Sequence, residues 1–337
     1  MSGSGASRWL EIVRNFRGRS VAVLADLVSD EFVYGDIARV SREAPVLILD
    51  HARTETIPGG GANAVANLRA LGADPLPVGV VGRDEAGRNL LRVFRRLGIA
   101  TRGILTVPGY KTPTKSRILA GGVHTRRQQI VRIDRGNGPG DLPASVVSRL
   151  TATLRRTLRR TEGLLVADYG YGAAVPQIVR AVRPAWRGKP VTVDSRSRVA
   201  AFRGVTAITP NQEEVERALE LRGIGTAASV TAAGRRLLRK TGDRYVLITR
   251  GARGMVLFRA GLAPFVIPAF GSGEVADVTG AGDTVIATFT LALLAGGSAE
   301  DAAVLANITA GLAVMKYGTA TISPAELRAA IRRGDAP

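Results

Sequence analysis

The chain has 337 residues, of which 45% are hydrophobic but only 5% aromatic, so its core must be built mainly from Ala, Val, Leu and Ile. It contains no cysteine, which excludes disulfides, thiolate catalysis and cysteine-based zinc sites. The formal net charge is +19, but the arginines are spread along the chain and are not interleaved with aromatic residues. We therefore expect an anionic small substrate and no nucleic-acid partner.

The amino terminus carries no targeting signal that the sequence reveals. Residues 1–20 lack the apolar core of a secretory signal, and no apolar run in the chain approaches the ~20 residues that a membrane helix needs. We expect a cytoplasmic protein without membrane contact. The expected organisation is a helix or tail over residues 1–20, one α/β domain over 21–330 and a tail over 331–337.

Apolar runs and helical patterns alternate along most of the chain. Predicted strands include SVAVLADLV, LPVGVVG, GLLVAD, VTVD and YVLITR, with helical patterns in between. This order predicts an α/β fold with a mainly parallel central sheet and helices on both faces. Between residues 112 and 134 two strands follow each other around a Gly-Gly turn without a crossover helix. Together with FVYGDIARVS they predict a small β-sheet lid, with strands from about 31–50 and 112–134.

The stretch IPGGGANAVANLRALG, residues 57–72, places three glycines before a helix. Glycine permits positive φ angles and the close approach of a ligand. Asn63 would lie in the first helical turn, where its amide suits a hydroxylated ligand. The alternative is a glycine-rich turn that only starts the helix.

The stretch AITPNQEEVE, residues 207–216, predicts a strand that ends before a helix. Asn211 suits the N-cap of that helix, and Glu214 suits its first turn, where the helix dipole favours carboxylates. The functional alternative is that both residues face phosphates and orient a hydrated magnesium ion, which prefers oxygen ligands.

Two further stretches contain glycines where phosphates would bind. LITRGARGMVLF predicts two strands around a turn with Gly251 and Gly254, a pattern that many hairpins share. DVTGAGDTVIATF places Gly280, Ala281 and Gly282 at the start of an apolar helix, where their N–H groups would form an anion-binding nest. Asp283 follows in the first turn, where a carboxylate would accept the proton of an attacking hydroxyl. The alternative is that Asp283 caps a helix that runs to about Ala295.

These segments, in this order, resemble the ribokinase or PfkB family of sugar kinases from about Val21 to Ser323. The resemblance implies a ribokinase-like three-layer fold with a lid, and an ATP-dependent transfer of the γ-phosphate to a sugar hydroxyl. The stretches DEFVYGDIARVSREAP, TPTKSRIL, QQIVRID, ADYGYG and NITAGLAVMKYGTATIS are similar to those of heptose 7-phosphate kinases. The alternatives are another PfkB kinase, acting on ribose, fructose, a nucleoside or another sugar phosphate, or a protein that binds sugar or nucleotide without catalysis.

The resemblance also assigns site residues. It makes Asp283 the base and residues 280–282 the anion hole. Positions that contact the sugar are matched by Asp30, Gly59, Gly60 and Asn63. The charges expected to bind a phosphate already on the substrate are Lys115, Arg117 and Arg132.

The remaining assignments concern nucleotide and metals. The nucleotide positions are Asn211, Thr249, Gly251, Gly254 and Asn307. Mg²⁺ is assigned to Asn211 and Glu214, through water, and a monovalent cation such as K⁺ to Asp277 and Thr279. The resemblance further implies a homodimer formed through the lid sheets.

The chain departs from the heptose-kinase pattern at several positions. Ala25 replaces a usual Gly, Tyr171 a usual Lys, and Ser195-Arg196 a usual Pro-Lys, while an insertion around GGVHT lengthens the lid hairpin. These changes bear on which sugar is accepted more than on the reaction. Bifunctional relatives carry a nucleotidyltransferase after the kinase, and we expect none in these 337 residues.

Overall fold

Strands alternate with helices through much of the fold, interrupted by runs of consecutive strands and by a final run of three helices. A computed structural model describes residues 3–121, 127–138, 140, 142–271, 276–316 and 318–333. The strands in these ranges are β1 (Ser20–Ala25), β2 (Leu27–Val40), β3 (Leu47–Gly60), β4 (Asp74–Gly82), β5 (Ile104–Val107), β6 (Thr114–Gly121), β7 (Gln128–Arg135), β8 (Gly163–Asp168), β9 (Val191–Ser195), β10 (Ala207–Ile208), β11 (Tyr245–Thr249), β12 (Met255–Arg259) and β13 (Phe265–Ile267). The α-helices are α1 (Gly3–Arg14), α2 (Gly61–Ala70), α3 (Glu85–Arg96), α4 (Ala144–Leu158), α5 (Pro176–Ala181), α6 (Gln212–Leu219), α7 (Ala227–Thr241), α8 (Ala281–Leu294), α9 (Ala299–Val314) and α10 (Pro324–Arg333).

The central sheet has nine strands in the order β13-β12-β11-β10-β9-β8-β1-β4-β5. The strands from β11 to β5 in this order run parallel, while β12 pairs antiparallel with both β11 and β13. Every residue of β8 is buried, as the continuous apolar run GLLVAD predicts for a strand covered on both faces. The predicted mainly parallel sheet is therefore confirmed.

Helices cover both faces of this sheet and complete three layers. One apolar cluster joins the sheet to α1, α2, α3, α8, α9 and α10, and a second joins it to α4, α5, α6 and α7. Helix α8 is apolar almost all round and lies in the interior, so the carboxylate of Asp283 enters a buried helix. None of the helices in the described ranges is both long and apolar enough to cross a membrane.

Both ends of the described chain pack onto the body. Trp9 and Phe16 are buried in the first apolar cluster, and Trp9 Nε1 donates a hydrogen bond of 3.1 Å to Asp301 Oδ1. Helix α10 continues through Arg333, and its Ile331 is only 2% exposed. Residues 331–333, which the sequence led us to expect in a tail, are therefore helical because Ile331 completes the apolar face of α10.

The lid is a four-stranded sheet in the order β3-β2-β6-β7. Strand β2 pairs antiparallel with β3 and parallel with β6, which confirms the smaller second sheet. Strand β3 extends ten residues beyond the expected position 50, because Gly60 pairs with Leu27 at the base of the lid. The expected Gly-Gly turn reaches into residues 122–126, which also contain His124 and lie outside the described residues.

Candidate active site

The lid and the carboxyl edge of the central sheet enclose a pocket of about 360 Å³. The lid strands contribute its basic wall, the ends of β8 and β9 contribute carboxylates, and the start of α8 forms its floor. The predicted site residues that line it are Asp30, Gly60, Lys115, Arg117, Arg132, Asn211, Glu214, Thr249, Thr279, Gly280, Ala281, Gly282 and Asp283. The sequence segments that carry the predicted chemistry thus meet in one place.

Asp283 lies buried in the first turn of α8 and is held from two sides. Asn63 Nδ2 donates to its Oδ2 at 2.9 Å, and the hydroxyl of Tyr169 donates to its Oδ1 at 2.8 Å. The N-cap of α8 is Gly280, without a side-chain hydrogen bond, so the capping alternative for Asp283 does not apply. Burial raises the pKa of Asp283 to about 7, although the hydrogen bonds from Asn63 and Tyr169 lower it.

A chain of buried hydrogen bonds fixes the amide of Asn63. Asn67 Nδ2 donates to Asn63 Oδ1 at 3.1 Å, and Thr284 Oγ1 donates to Asn67 Oδ1 at 3.1 Å. Because Asn63 Oδ1 is occupied, its Nδ2 must face Asp283. Asn63, expected to contact the sugar, is thus occupied in orienting the carboxylate.

The predicted anion nest at the start of α8 is only partly free. Gly280 has a φ of 80°, and a Cβ there would collide with Asn63 Nδ2, so this position requires glycine. The N–H of Ala281 donates to the carbonyl of Val278 at 3.3 Å. The N–H groups of Gly282 and Asp283 donate to no group in the described parts of the chain, and they lie at the positive end of the α8 dipole.

Asp194 and Glu214 add two more carboxyl groups to the pocket. Burial raises the pKa of both groups, and the charge of Glu214 raises that of Asp194 further. Within the described ranges, no three His, Cys, Asp or Glu side chains are grouped closely enough to hold a metal ion by themselves. The pair therefore suits a cation that keeps water or phosphate oxygens as its other ligands.

Asn211 and Glu214 form a capping box at the start of α6. Asn211 Oδ1 accepts the N–H of Glu214 at 2.9 Å, and Glu214 Oε2 accepts the N–H of Asn211 at 2.9 Å. The structural alternative from the sequence is therefore present. Both side chains also line the pocket, so capping places them there and does not exclude a second role.

The lid places its charges around the sugar side of the pocket. Arg117 Nη1 lies 3.1 Å from Asp30 Oδ2, and Lys115 Nζ lies 3.0 Å from Asp134 Oδ2. Arg132 also pairs with Asp134, at 2.8 Å. A Cβ at Gly59 would lie 2.6 Å and 2.8 Å from the carboxylate oxygens of Asp30, so only glycine leaves room for that side chain.

A second cavity of about 530 Å³ adjoins the first and is mostly apolar. The two share Thr249, Val278, Ala281 and Gly282. Gly251, Gly254 and Asn307 line the second cavity, as expected for nucleotide positions, and Asn307 Nδ2 donates to the carbonyl of Pro268 at 2.9 Å. Its size and its apolar walls suit a nucleoside.

Asp277 lies beside this region but lines neither cavity. Its Oδ1 accepts the N–H of Thr279 at 2.9 Å, and its Oδ2 accepts the N–H of Gly318 at 3.1 Å. These bonds tie the loop before α8 to the segment after α9. The cation role of Asp277 and Thr279 stays a prediction.

Sequence reasoning did not select seven residues that line the pocket: Asp168, Tyr169, Asp194, Arg196, Thr209, Val278 and Thr319. Tyr169 follows β8 directly, and Asp194 lies near the end of β9. Strands β8 and β9 are parallel neighbours, so their carboxyl ends meet at one edge. The acidic ends of GLLVAD and VTVD were the available signal, but their proximity depends on the strand order.

Comparisons with known proteins support the family suggested by the motifs. A model of the pfkB family carbohydrate kinase matches residues 27–140 and 177–326. The bifunctional protein HldE of Pelobacter propionicus is 39% identical over 319 residues, which cover 94% of this chain and 64% of that protein. HldE of Geobacter metallireducens is 40% identical over 314 residues, 92% of this chain and 62% of that protein. The chain thus spans less than two thirds of the length of these relatives.

Solved structures share the fold. Arabidopsis thaliana ribokinase, complexed with ribose and ATP, superposes with a TM-score of 0.71 at 20% identity, over 94% of this chain and 99% of that one. Phosphofructokinase-2 from Escherichia coli, in complex with potassium, gives 0.73 at 16% identity over the same shares, 94% and 99%. The expected ribokinase-like fold is confirmed. The members of the pfkB family are phosphotransferases that use ATP and a divalent metal ion and act on an alcohol group. The family match extends over most of the sequence and shows that this chain belongs to the pfkB family of carbohydrate kinases.

Proposed function

We propose that the protein transfers the γ-phosphate of ATP to a hydroxyl group of a heptose 7-phosphate, with Asp283 as the general base. The observation that carries this proposal is the position of the buried Asp283 carboxylate. It lies in the pocket that has the basic lid on one side and adjoins the apolar cavity on the other. The likeness of the stretches DEFVYGDIARVSREAP and QQIVRID to heptose 7-phosphate kinases supports the substrate.

The proposed reaction is an in-line phosphoryl transfer. The sugar hydroxyl gives its proton to the Asp283 carboxylate while its oxygen attacks the γ-phosphorus. The bond from the γ-phosphorus to the bridging oxygen breaks, and ADP leaves with that electron pair. The free N–H groups of Gly282 and Asp283 would donate to the transferred phosphoryl group as its charge shifts. A base of this kind contributes roughly 10²- to 10⁴-fold in rate.

Magnesium is the divalent ion that the carboxyl groups favour. Asp194 would supply an oxygen ligand, which Mg²⁺ prefers, and Glu214 and Asn211 line the same pocket, where they would bind water held by the ion. When bound, Mg²⁺ neutralises charge on the ATP phosphates. The contact of Asn211 and Glu214 with the ion is proposed to run through water, and a K⁺ ion near Asp277 and Thr279 is proposed from the family resemblance alone.

The basic residues on the lid support a substrate that already carries a phosphate. Lys115 and Arg117 are mostly buried, with 13% and 11% of their side chains exposed, and Arg132 lies on the neighbouring strand. Their partners Asp30 and Asp134 do not cancel three positive charges. An anionic group on the sugar would therefore find a net positive wall.

We also propose a homodimer formed through the lid sheets. Apolar side chains stand exposed on several lid strands, including Ile37 at 43%, Leu47 at 44% and Ile130 at 47%. Exposed apolar groups on a sheet with open edges favour association with a second copy. Analytical ultracentrifugation of the wild type beside an Ile37→Lys, Ile130→Lys variant tests this: a monomeric wild type contradicts the proposed dimer.

We also propose a cytoplasmic location, because the proposed reaction depends on ATP.

The substrate proposal is tested by a panel of acceptors. The protein is incubated with Mg-ATP and heptoses with and without a 7-phosphate, ribose, fructose, fructose 6-phosphate and nucleosides, and the products are resolved by mass. We expect one added phosphoryl group on the heptose 7-phosphate at the highest kcat/KM. Faster turnover of another acceptor would favour a different pfkB kinase, and binding of sugar and ATP without turnover would favour a non-catalytic protein.

A further inference from the structure

Tyr169 occupies a position from which its side chain reaches the proposed base. It follows the last residue of β8, lines the pocket, and donates its hydroxyl to Asp283 Oδ1 at 2.8 Å. Burial and the nearby charge of Asp283 raise the pKa of Tyr169 well above its usual value. The hydroxyl therefore keeps its proton and remains a donor at neutral pH.

The backbone and ring of Tyr169 are held by separate contacts. Its N–H donates to Asp26 Oδ2 at 2.9 Å, and Asp26 also accepts the N–H of Tyr171 at 2.9 Å, which fixes the turn after β8. The guanidinium carbon of Arg196 lies 5.6 Å from the centre of the Tyr169 ring. These contacts leave the phenol little freedom, so the hydroxyl has a defined direction.

The two donors approach different oxygens of Asp283. Asn63, on α2, takes Oδ2, while Tyr169, at the edge of the sheet, takes Oδ1. A carboxylate has about four lone-pair sites, so both oxygens can still accept a proton. A carboxylate held in this way cannot rotate without losing both hydrogen bonds.

We propose that Tyr169 is a positioning residue for phosphoryl transfer: its hydroxyl fixes the orientation of the Asp283 carboxylate and stabilises the ionised form that accepts the sugar proton. This inference rests on the proposed role of Asp283 as the base.

The charged and titratable groups around Asp283 determine the direction of the expected pH effect. The charge of Asp30 raises the pKa of Asp283, that of Arg196 lowers it, and the hydrogen bonds from Asn63 and Tyr169 lower it. Asp194 is a further carboxyl group on the same side of the pocket. Removing the phenol hydroxyl while keeping the ring leaves these other groups in place and must raise the pKa of Asp283.

The test is the pH profile of kcat/KM for Tyr169→Phe. We expect the acidic limb to move upward by about one pH unit, so that the loss of activity is largest below about pH 7 and smaller in alkaline buffer. The KM for ATP should not change. Tyr245→Phe is the matched control, because Tyr245 lies at the start of β11 and does not line either cavity.

A second variant gives the opposite perturbation. Replacing Tyr169 by 3-fluorotyrosine makes the phenol a stronger donor and should move the limb to lower pH. An acidic limb that stays in place in both variants, or an activity loss that is equal at all pH values, overturns the inference. Asp283→Asn separates the two proposals: if it retains turnover the base role fails, whereas if it is inactive and the Tyr169 variants leave the limb unmoved, only the positioning role fails.

Discussion

Arg117 on β6 and Asp30 on β2 form an ion pair of 3.1 Å, with 11% and 3% of their side chains exposed. Burying such a pair costs desolvation free energy that the Coulomb attraction only partly returns. Burial raises the pKa of Asp30 even though Arg117 lowers it. Because desolvation offsets much of its Coulomb attraction, this ion pair is expected to add little to the stability of the fold. The pair therefore suits a role in binding, in which Arg117 would bind a substrate phosphate and Asp30 would accept a hydrogen bond from a sugar hydroxyl.

Replacing Arg117 by Gln should weaken binding of a phosphorylated sugar selectively. A hydrogen bond to a charged group is worth about 1.5–3 kcal/mol, so we expect KM for the sugar phosphate to rise by roughly 10- to 100-fold. Steady-state kinetics with the phosphorylated and the unphosphorylated sugar measure this. Arg127→Gln is the control, because Arg127 pairs with Asp36 on the same sheet but does not line the pocket. Equal losses for both sugars would argue against phosphate recognition.

Asp283→Asn should remove most of the turnover while ATP still binds. The amide cannot accept the proton of the attacking hydroxyl, so kcat should fall by about 10²- to 10⁴-fold or more. Isothermal titration with ATP and Mg²⁺ should give a dissociation constant close to that of the wild type, because the apolar cavity is unchanged. Asp74→Asn, an exposed carboxylate on β4, is the control. Near-normal turnover in the Asp283 variant would remove it from the base role.

The activity should rise with pH through about 7. The pKa of Asp283 is raised to about 7 by burial, and the base accepts a proton only when it is ionised. Activity is therefore lost as pH falls below this value. A profile of kcat/KM between pH 5 and 9 reports the free enzyme, and a limb near pH 4 would mean that Asp283 is not the titrating group.

The same raised pKa has a consequence for stability. The folded protein holds a proton on Asp283 between the unfolded pKa of 3.8 and about 7, so this contribution is present below pH 3.8 and lost as pH rises through about 7. Denaturant unfolding of the wild type relative to Asp283→Asn should therefore show a falling free energy of unfolding from pH 5 to pH 8. A rising difference would contradict the sign.

Gly59→Ala should impair sugar binding through steric displacement. The added Cβ would lie within 2.8 Å of both Asp30 carboxylate oxygens, so the Asp30 side chain must move. We expect KM for the sugar to rise at least tenfold, while KM for ATP is unchanged. Gly225→Ala is the matched control, since a Cβ at Gly225 meets nothing within 4 Å and its φ is not positive. Unchanged sugar kinetics would mean that Asp30 does not contact the substrate.

Phe16→Ala should destabilise the fold, although Phe16 lines neither cavity of the site. Phe16 is fully buried between the first helix and the rest of the core, and such truncations cost about 3–5 kcal/mol. Urea denaturation measures this, with the exposed Arg14→Ala as the control, expected within about 0.5 kcal/mol of the wild type. A small effect at Phe16 would mean that the amino-terminal segment docks only weakly.

The fold class could be predicted because local signals repeat along the chain, and the family could be predicted because the motifs resemble those of the pfkB family in the same order. The runs GLLVAD and VTVD indicate buried strands, and the glycines before α2 and α8 indicate helix starts close to a ligand. Strand order could not be derived from these patterns. The hydrogen bonds of Asp283 with Asn63 and Tyr169 join residues 220 and 114 positions apart, and only the packed layers bring them together.

Two local details of the site became visible only in the structure. Asn211 and Glu214 do form the capping box that the sequence offered as an alternative, which shows that a cap and a pocket residue can be the same side chain. Ala281 lost its place in the anion nest because its N–H bonds to Val278. This hydrogen bond depends on the conformation of the loop before α8, and the periodicity of apolar residues in the sequence does not predict loop conformation.

The lid and helix α8 belong to separate layers of the molecule and face each other across the pocket. The residues proposed to recognise the sugar, Asp30, Lys115 and Arg117, lie on the lid strands, whereas Asp283 belongs to the interior of the body. Substitutions of Lys115 or Arg117 on the lid can therefore change the accepted sugar while the hydrogen bonds that hold Asp283 stay in place. New sugar specificities can therefore arise through substitutions in the lid sheet, while the residues of the body that carry out phosphoryl transfer stay the same.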